Sequence, residues 1–179
     1  MGRKDNPIKR TSKYLSKILR HAPEQIGLEL DKAGWGSLSE LVRLSPPWVT
    51  LESVNRAVAE NDKQRFTIDG GLIRANQGHS IDVDLGLKIE TPPEFLYHGT
   101  YAKAVDAIWR DGLLKMNRHA VHMASETTTA ATVGRRSGTP VVFKILAAQM
   151  HTNGFDFYVS ANGVWLTDQV PPRYLERLP

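Results

Sequence analysis

A chain of 179 residues is long enough for one sizeable domain or two small lobes, each with a modest core. Apolar residues make up 41% and charged residues 23%, which argues against wholesale disorder, and no apolar run approaches the roughly 18 residues of a membrane span. Cysteine is absent, which excludes disulfides, thiolate metal sites and a cysteine nucleophile and fits a cytoplasmic protein without membrane attachment. The start, MGRKDNPIKR, has no apolar stretch behind it, so no secretory signal is expected.

The net charge of +4 is unevenly spread. Arg3, Lys4, Lys9, Arg10, Lys13, Lys17 and Arg20 face one acid, Asp5, within the first twenty residues. Such a field suits a polyanionic partner, and it equally suits a solvated terminus.

In chain order, Tyr14, Leu15, Ile18 and Leu19 share one face of a helix that stops before Pro23. Ser37 and Glu40 have capping-box spacing ahead of a helix carrying Leu38, Leu41 and Val42. Thr50 caps a third helix with Leu51, Val54 and Val58, and Glu52 lies near its positive end. RFTID and LIRA flank a Gly70-Gly71 turn and read as a hairpin. Three helices and a hairpin make a winged-helix-like lobe over residues 1–88. The segment Lys88 to Glu94, with Pro92 and Pro93, interrupts any helix or central strand and separates a second lobe, residues 94–179.

In the second lobe FLYHGT reads as a strand. Thr100 is expected to cap a helix with Val105, Ile108 and Trp109 inside and Gly112 at its C′ position. Val121 to Ala124 reads as a short strand, and Ser125 caps a Thr/Ala-rich helix running to about Arg136. PVVFKIL, FDFYVS and VWLTD are further strands, followed by a short helix after Pro171 and Pro172. Many strands and few helices make an α+β protein with mixed or antiparallel sheets.

No P-loop and no G-x-G-x-x-G between strand and helix is present. His119 and His122 are three apart without a carboxylate or third histidine, so no metal is expected. Four polar spots stand out. Arg20 and His21 end an amphipathic helix, either as cations complementing its C-terminus or as ligand groups. Arg74, Asn76, Gln77, His79 and Ser80 crowd around Gly78, as in a ligand site or a polar turn. His98-Gly99-Thr100 ends a strand where free N–H groups can hold an anion or an amide. Arg135-Arg136 ends a helix, again open to dipole complementation.

Taken together, these spots resemble the RNA 2′-phosphotransferases of the KptA type, in order and along about residues 12–175. The blocks are KYLSKILRHAPEQIGLELDKAGWGSLSELV, RFTIDGGLIRANQGHSIDV, LYHGT, DGLLKMNRHAVHMA, VGRRSGTPVVF and NGVWLTDQVPPRYL. The resemblance implies that the second lobe is of the ADP-ribosyltransferase type, with NAD as co-substrate and a 2′-phosphorylated RNA as partner, acting as a monomer. It implies an attack of the RNA 2′-phosphate on the nicotinamide ribose, then attack of the ribose 2″-hydroxyl on phosphorus. The products are an RNA 2′-hydroxyl, nicotinamide and ADP-ribose 1″,2″-cyclic phosphate. The family's catalytic set falls on Arg20, His21, Arg74 and Arg136, and its NAD contacts on His98, Gly99, Thr100, Arg118, His122 and Ser125.

Two departures are visible: Ala120 replaces a histidine of the R-x-H-V-H block, and Ser137 one of G-x-R-H-G, leaving Arg135 as an alternative to Arg136. Protein-modifying transferases commonly carry a late glutamate that activates a neutral acceptor. SANGVWLTD carries none, as an anionic acceptor would allow. The alternatives are an NAD-dependent ADP-ribosyltransferase acting on nucleic-acid ends or protein, and a plain winged-helix nucleic-acid-binding module.

Overall fold

The computed structural model describes residues 6–61, 63–136 and 138–179. Arg3, Lys4 and Asp5 of the basic terminus, and Ser137, lie outside the described residues. The chain divides into two compact units, Met1–Gly86 and Leu87–Pro179.

Unit 1 opens with α1, Pro7–Arg20. Asn6 caps it, its side chain accepting the Ile8 N–H at 3.0 Å, and Pro7 at the first position has its φ already set for a helix. Leu15, Ile18 and Leu19 are buried together with Thr11 and Ser12, and Asn61 Nδ2 donates to the Ser12 hydroxyl at 3.0 Å. The helix ends at His21 ahead of a 3₁₀ turn, Pro23–Ile26.

A two-residue strand β1, Gly36–Ser37, leads into α2, Leu38–Leu44. Ser37 Oγ accepts the Glu40 N–H at 3.3 Å, but the Glu40 carboxylate pairs with Arg43, so the box anticipated from the spacing is half made. The complete box sits on α3, Leu51–Ala59, where Thr50 and Ser53 exchange side-chain-to-backbone bonds in both directions. The hairpin of β2, Phe66–Asp69, and β3, Leu72–Ala75, turns at Gly70 and Gly71, both with positive φ. Its β3 strand takes β1 as a third, antiparallel partner. Leu15, Leu19, Leu41, Val54, Phe66 and Ile73 form the core of this unit.

Unit 2 runs through β4 (Leu96–Tyr101), α4 (Val105–Asp111), β5 (Leu113–Leu114), β6 (Val121–Met123) and α5 (Thr127–Gly134). It continues through β7 (Pro140–Ile145), α6 (Ala147–Thr152), β8 (Tyr158–Val159), β9 (Trp165–Thr167), β10 (Gln169–Val170) and β11 (Leu175–Arg177). The sheets are β11-β7-β4, β6-β9-β8 and the pair β10-β5, with every ladder antiparallel. Unit 2 packs its own core around Leu96, Phe143, Ile145, Met150 and Phe157. With antiparallel sheets in both units, the protein is α+β.

Two helix caps differ from expectation. Thr100 lies inside β4, opposite Val141 and 8% exposed, and α4 starts only at Val105 after a 3₁₀ turn. The strand outruns the cap because its ladder to β7 satisfies the backbone through Tyr101. Ser125 does not cap α5 either, since Glu126 occupies that position with no side-chain bond. Trp109 is 42% exposed, with its ring edge-on to Phe143, so it edges the core instead of filling it.

The contact that fixes α5 on β4 is made by two glycines. A Cβ on Gly99 would sit 1.6 Å from the Ala130 carbonyl oxygen, and one on Gly134 would sit 2.3 Å from that of Thr100. Only bare backbone allows this approach.

Candidate functional site

In unit 1, the last turn of α1 delivers Arg20 and His21 to the loop that follows β3. Ser80 N–H donates to the Arg20 carbonyl at 2.9 Å, and the Ser80 hydroxyl lies 2.9 Å from His21 Nδ1. A hydroxyl can donate or accept, so this bond survives either ring tautomer and also protonation of His21. Gly78 lies beside the Arg20 guanidinium, where a Cβ would make ordinary contact with Nη1 at 3.5 Å, so it is the left-handed φ of +87° that favours glycine there. The Arg20 guanidinium carbon is 5.8 Å from the Phe66 ring centroid.

Arg74 projects from β3, opposite Thr67. Its guanidinium carbon lies 4.5 Å from the centroid of Trp35, the residue before β1. Its Nε is buried and meets no hydrogen-bond acceptor among the described residues. Phe66 was read only as a strand residue, and Trp35 only as part of the KAGWGS stretch of the first family block. The β1–β3 pairing aligns Trp35 with Arg74, but a two-residue strand gives no periodicity by which to find it.

The crowded IRANQGHS segment separates into two kinds of residue. Asn76 is consumed by folding: its Oδ1 accepts from Thr67, its Nδ2 donates to Gln64 O, and its N–H donates to Arg65 O. His79 is 1% exposed, so it too belongs to the interior.

In unit 2, His98 sits on β4 opposite Phe143. Its Nδ1 is 2.9 Å from the His122 carbonyl, which can only accept, so Nδ1 carries the proton and Nε2 presents a lone pair. Burial lowers the His98 pKa; the His122 carbonyl opposes this, and the nearby Arg118 charge adds to the lowering, so the ring is neutral at pH 7. His122 Nδ1 is 3.0 Å from the Ala120 carbonyl. Thr100 is buried, whereas Arg118 and Ser125 are exposed. Gly99 faces the Ala130 carbonyl of α5, so its missing side chain is a packing requirement whatever else it does. Arg135 and Arg136 follow α5, both exposed; Arg135 lines a cavity of about 490 Å³ with Arg177, Thr128 and Thr132.

Residues 6–169 match the family described as RNA 2′-phosphotransferase, Tpt1 / KptA family. The chain belongs to this family. A relative from Nostoc punctiforme, named "Probable RNA 2'-phosphotransferase", is 50% identical over 179 residues, covering 97% of this chain and 99% of its own. Relatives of the same name from Streptomyces coelicolor and Flavobacterium johnsoniae are 52% and 45% identical, covering 93% and 96% of this chain and 93% and 97% of theirs. Membership makes the chain a transferase, and the matched span includes every candidate residue above.

Proposed function

We propose that this transferase removes an internal 2′-phosphate from RNA by passing it to the ADP-ribose portion of NAD. The observation that carries the reading is the Arg20–His21–Ser80 cluster beside Gly78, on a loop fed by the strand that bears Arg74. A phosphate monoester is dianionic and planar-forked donors grip it well, which suits arginine at both positions. The Trp35 ring, 4.5 Å from the Arg74 guanidinium carbon, restricts where that cation can point.

The reading assigns Arg20, Arg74 and Arg136 to the phosphate and His21 to proton transfer. A 2′-phosphate attacks without losing a proton. The ribose hydroxyl that later attacks phosphorus must lose one, and the departing RNA oxygen must gain one. His21 on the two-way Ser80 hydroxyl keeps its orientation through both states. As the phosphoryl group transfers, charge on its equatorial oxygens is offset by the arginines.

NAD supplies an anomeric carbon with nicotinamide as its leaving group. The donor set of unit 2 fits a dinucleotide: neutral His98 offers Nε2 to a ribose hydroxyl, and Arg118 offers charge to a pyrophosphate. Gly99, Thr100, His122 and Ser125 complete the proposed contacts. We read unit 1 as winged-helix-like, on its three helices and hairpin, and unit 2 as ADP-ribosyltransferase-like, on its small antiparallel sheets.

The test is incubation with NAD and a short RNA bearing one internal 2′-phosphate. Release of nicotinamide, ADP-ribose 1″,2″-cyclic phosphate and RNA with a free 2′-hydroxyl is expected. An ADP-ribosylated RNA as the final product would overturn the phosphotransferase reading in favour of simple ADP-ribosylation.

A further inference from the structure

The sequence of α1, PIKRTSKYLSKILR, holds five cations and no acid. At 100° per residue its buried side chains, Thr11, Ser12, Leu15, Ile18 and Leu19, span about 120° of the helix. Lys9, Lys13, Lys17 and Arg20 fall within about 80° on nearly the opposite side. Lys9, Lys13 and Lys17 are exposed, and among the described residues no carboxylate pairs with any of them. The other helices of unit 1 neutralise their cations, Arg43 with Glu40 and Arg56 with Glu60. Lys9 also lies in the first turn, where a cation opposes the helix dipole. Lys17 and Arg20, in the last turn, suit the dipole, but Lys9, Lys13 and Lys17 repel one another at successive i,i+4 positions, a cost that an anion from outside would remove.

Resting on the proposed reading of Arg20 and His21, we infer that the lysine face of α1 is a rail for the RNA strand flanking the 2′-phosphorylated nucleotide. The lysines are spaced by four residues, about 6 Å along the axis, a step comparable to the phosphate spacing of an extended single strand. The next position at that spacing is His21. Each lysine therefore neutralises one backbone phosphate of a strand led toward the helix C-terminus, without reading its bases.

The experiment compares the parent with K9Q/K13Q/K17Q, exposed changes between residues of similar helix propensity. Affinity for a single-stranded RNA oligonucleotide bearing one internal 2′-phosphate is measured by fluorescence anisotropy across a salt series, and turnover is measured on the same RNA. The slope of log affinity against log salt should fall by about 2 in magnitude, since each single-strand contact contributes about 0.7. KM for the oligonucleotide should rise with kcat unchanged. Kinetics on a 2′-phosphorylated dinucleotide, whose single internucleotide phosphate is too short a strand to lie along three lysines about 6 Å apart, should not change. K9R/K13R/K17R should restore the slope. An unchanged slope, or an equal loss on the dinucleotide, overturns the rail. Failure of the parent enzyme to dephosphorylate the oligonucleotide would instead overturn the proposed reaction, and the salt slope would still judge the rail.

Discussion

His21 and His98 are both histidines beside an oxygen, yet their surroundings differ in what they ask of the ring. The partner of His21 is a hydroxyl that tolerates either charge state, and the partner of His98 is a carbonyl that fixes one tautomer of a neutral ring. Under the proposed chemistry, His21→Ala should still form ADP-ribosylated RNA but resolve it about 10²–10⁴-fold more slowly. A labelled 2′-phosphorylated RNA followed on a gel under single turnover would show that species accumulate; a stall before it appears would assign His21 to binding or to the first step. His98 gives a pH signature. Folded His98 holds a proton less tightly than unfolded His98, so below about pH 6.5 the unfolded chain binds a proton that the folded chain resists. Stability should fall as pH drops through that window and be level above it. His98→Asn, which keeps a donor toward His122 O, should show a shallower fall in urea midpoint over the same range. An identical pH dependence would mean that His98 contributes none of it.

Among the elements, α1, the hairpin, β4 and β7 were legible because each carries a strong period or a turn signal: Leu15 and Ile18 on one helix face, Gly70-Gly71 between apolar runs, Val141, Phe143 and Ile145 alternating inward. The cap at Thr100 was misread because a hydroxyl before a helix looks the same whether it caps or continues a strand, and that at Ser125 because α5 begins one residue later, with Glu126 at the cap. Strands β5, β10 and β11 are two or three residues long, below the length at which alternation can be seen. Asn76 and His79 looked like ligand groups because a buried hydrogen-bond anchor and a binding residue use the same donors. Gly99 is the instructive case, for its packing partner is 31 residues away and invisible from the HGT motif. Gly99→Ala should lower unfolding free energy by about 3 kcal/mol or more, because backbone must move to admit the methyl. Gly154→Ala, with open space around its Cβ and only a left-handed φ to bear, should cost about 1–2 kcal/mol. Urea denaturation ranks the two, and equal losses would show that α5 yields easily.

For the whole molecule, the reading requires two ligands of different character, one polyanionic and one a dinucleotide. NAD at a hundred times its Kd should add about 2.7 kcal/mol to stability and raise the melting temperature. No shift at any NAD concentration would argue against NAD as co-substrate. The two units hold separate cores, around Leu41 and Val54 in one and Phe143 and Met150 in the other. The final strand, β11, has a consequence for handling the protein. It covers the long edge of β7, pairing Leu175 with Ile145 and Arg177 with Phe143, and Leu178 N–H reaches Val142 O. A protease nick after Tyr174, or a fusion that pulls this strand away, would strip one edge of a six-residue segment rich in valine, isoleucine and phenylalanine. An uncovered edge of that composition is a template for strands of other copies. Trimmed preparations should therefore clump by sheet extension, and a dye specific for stacked strands would brighten in them before activity is lost.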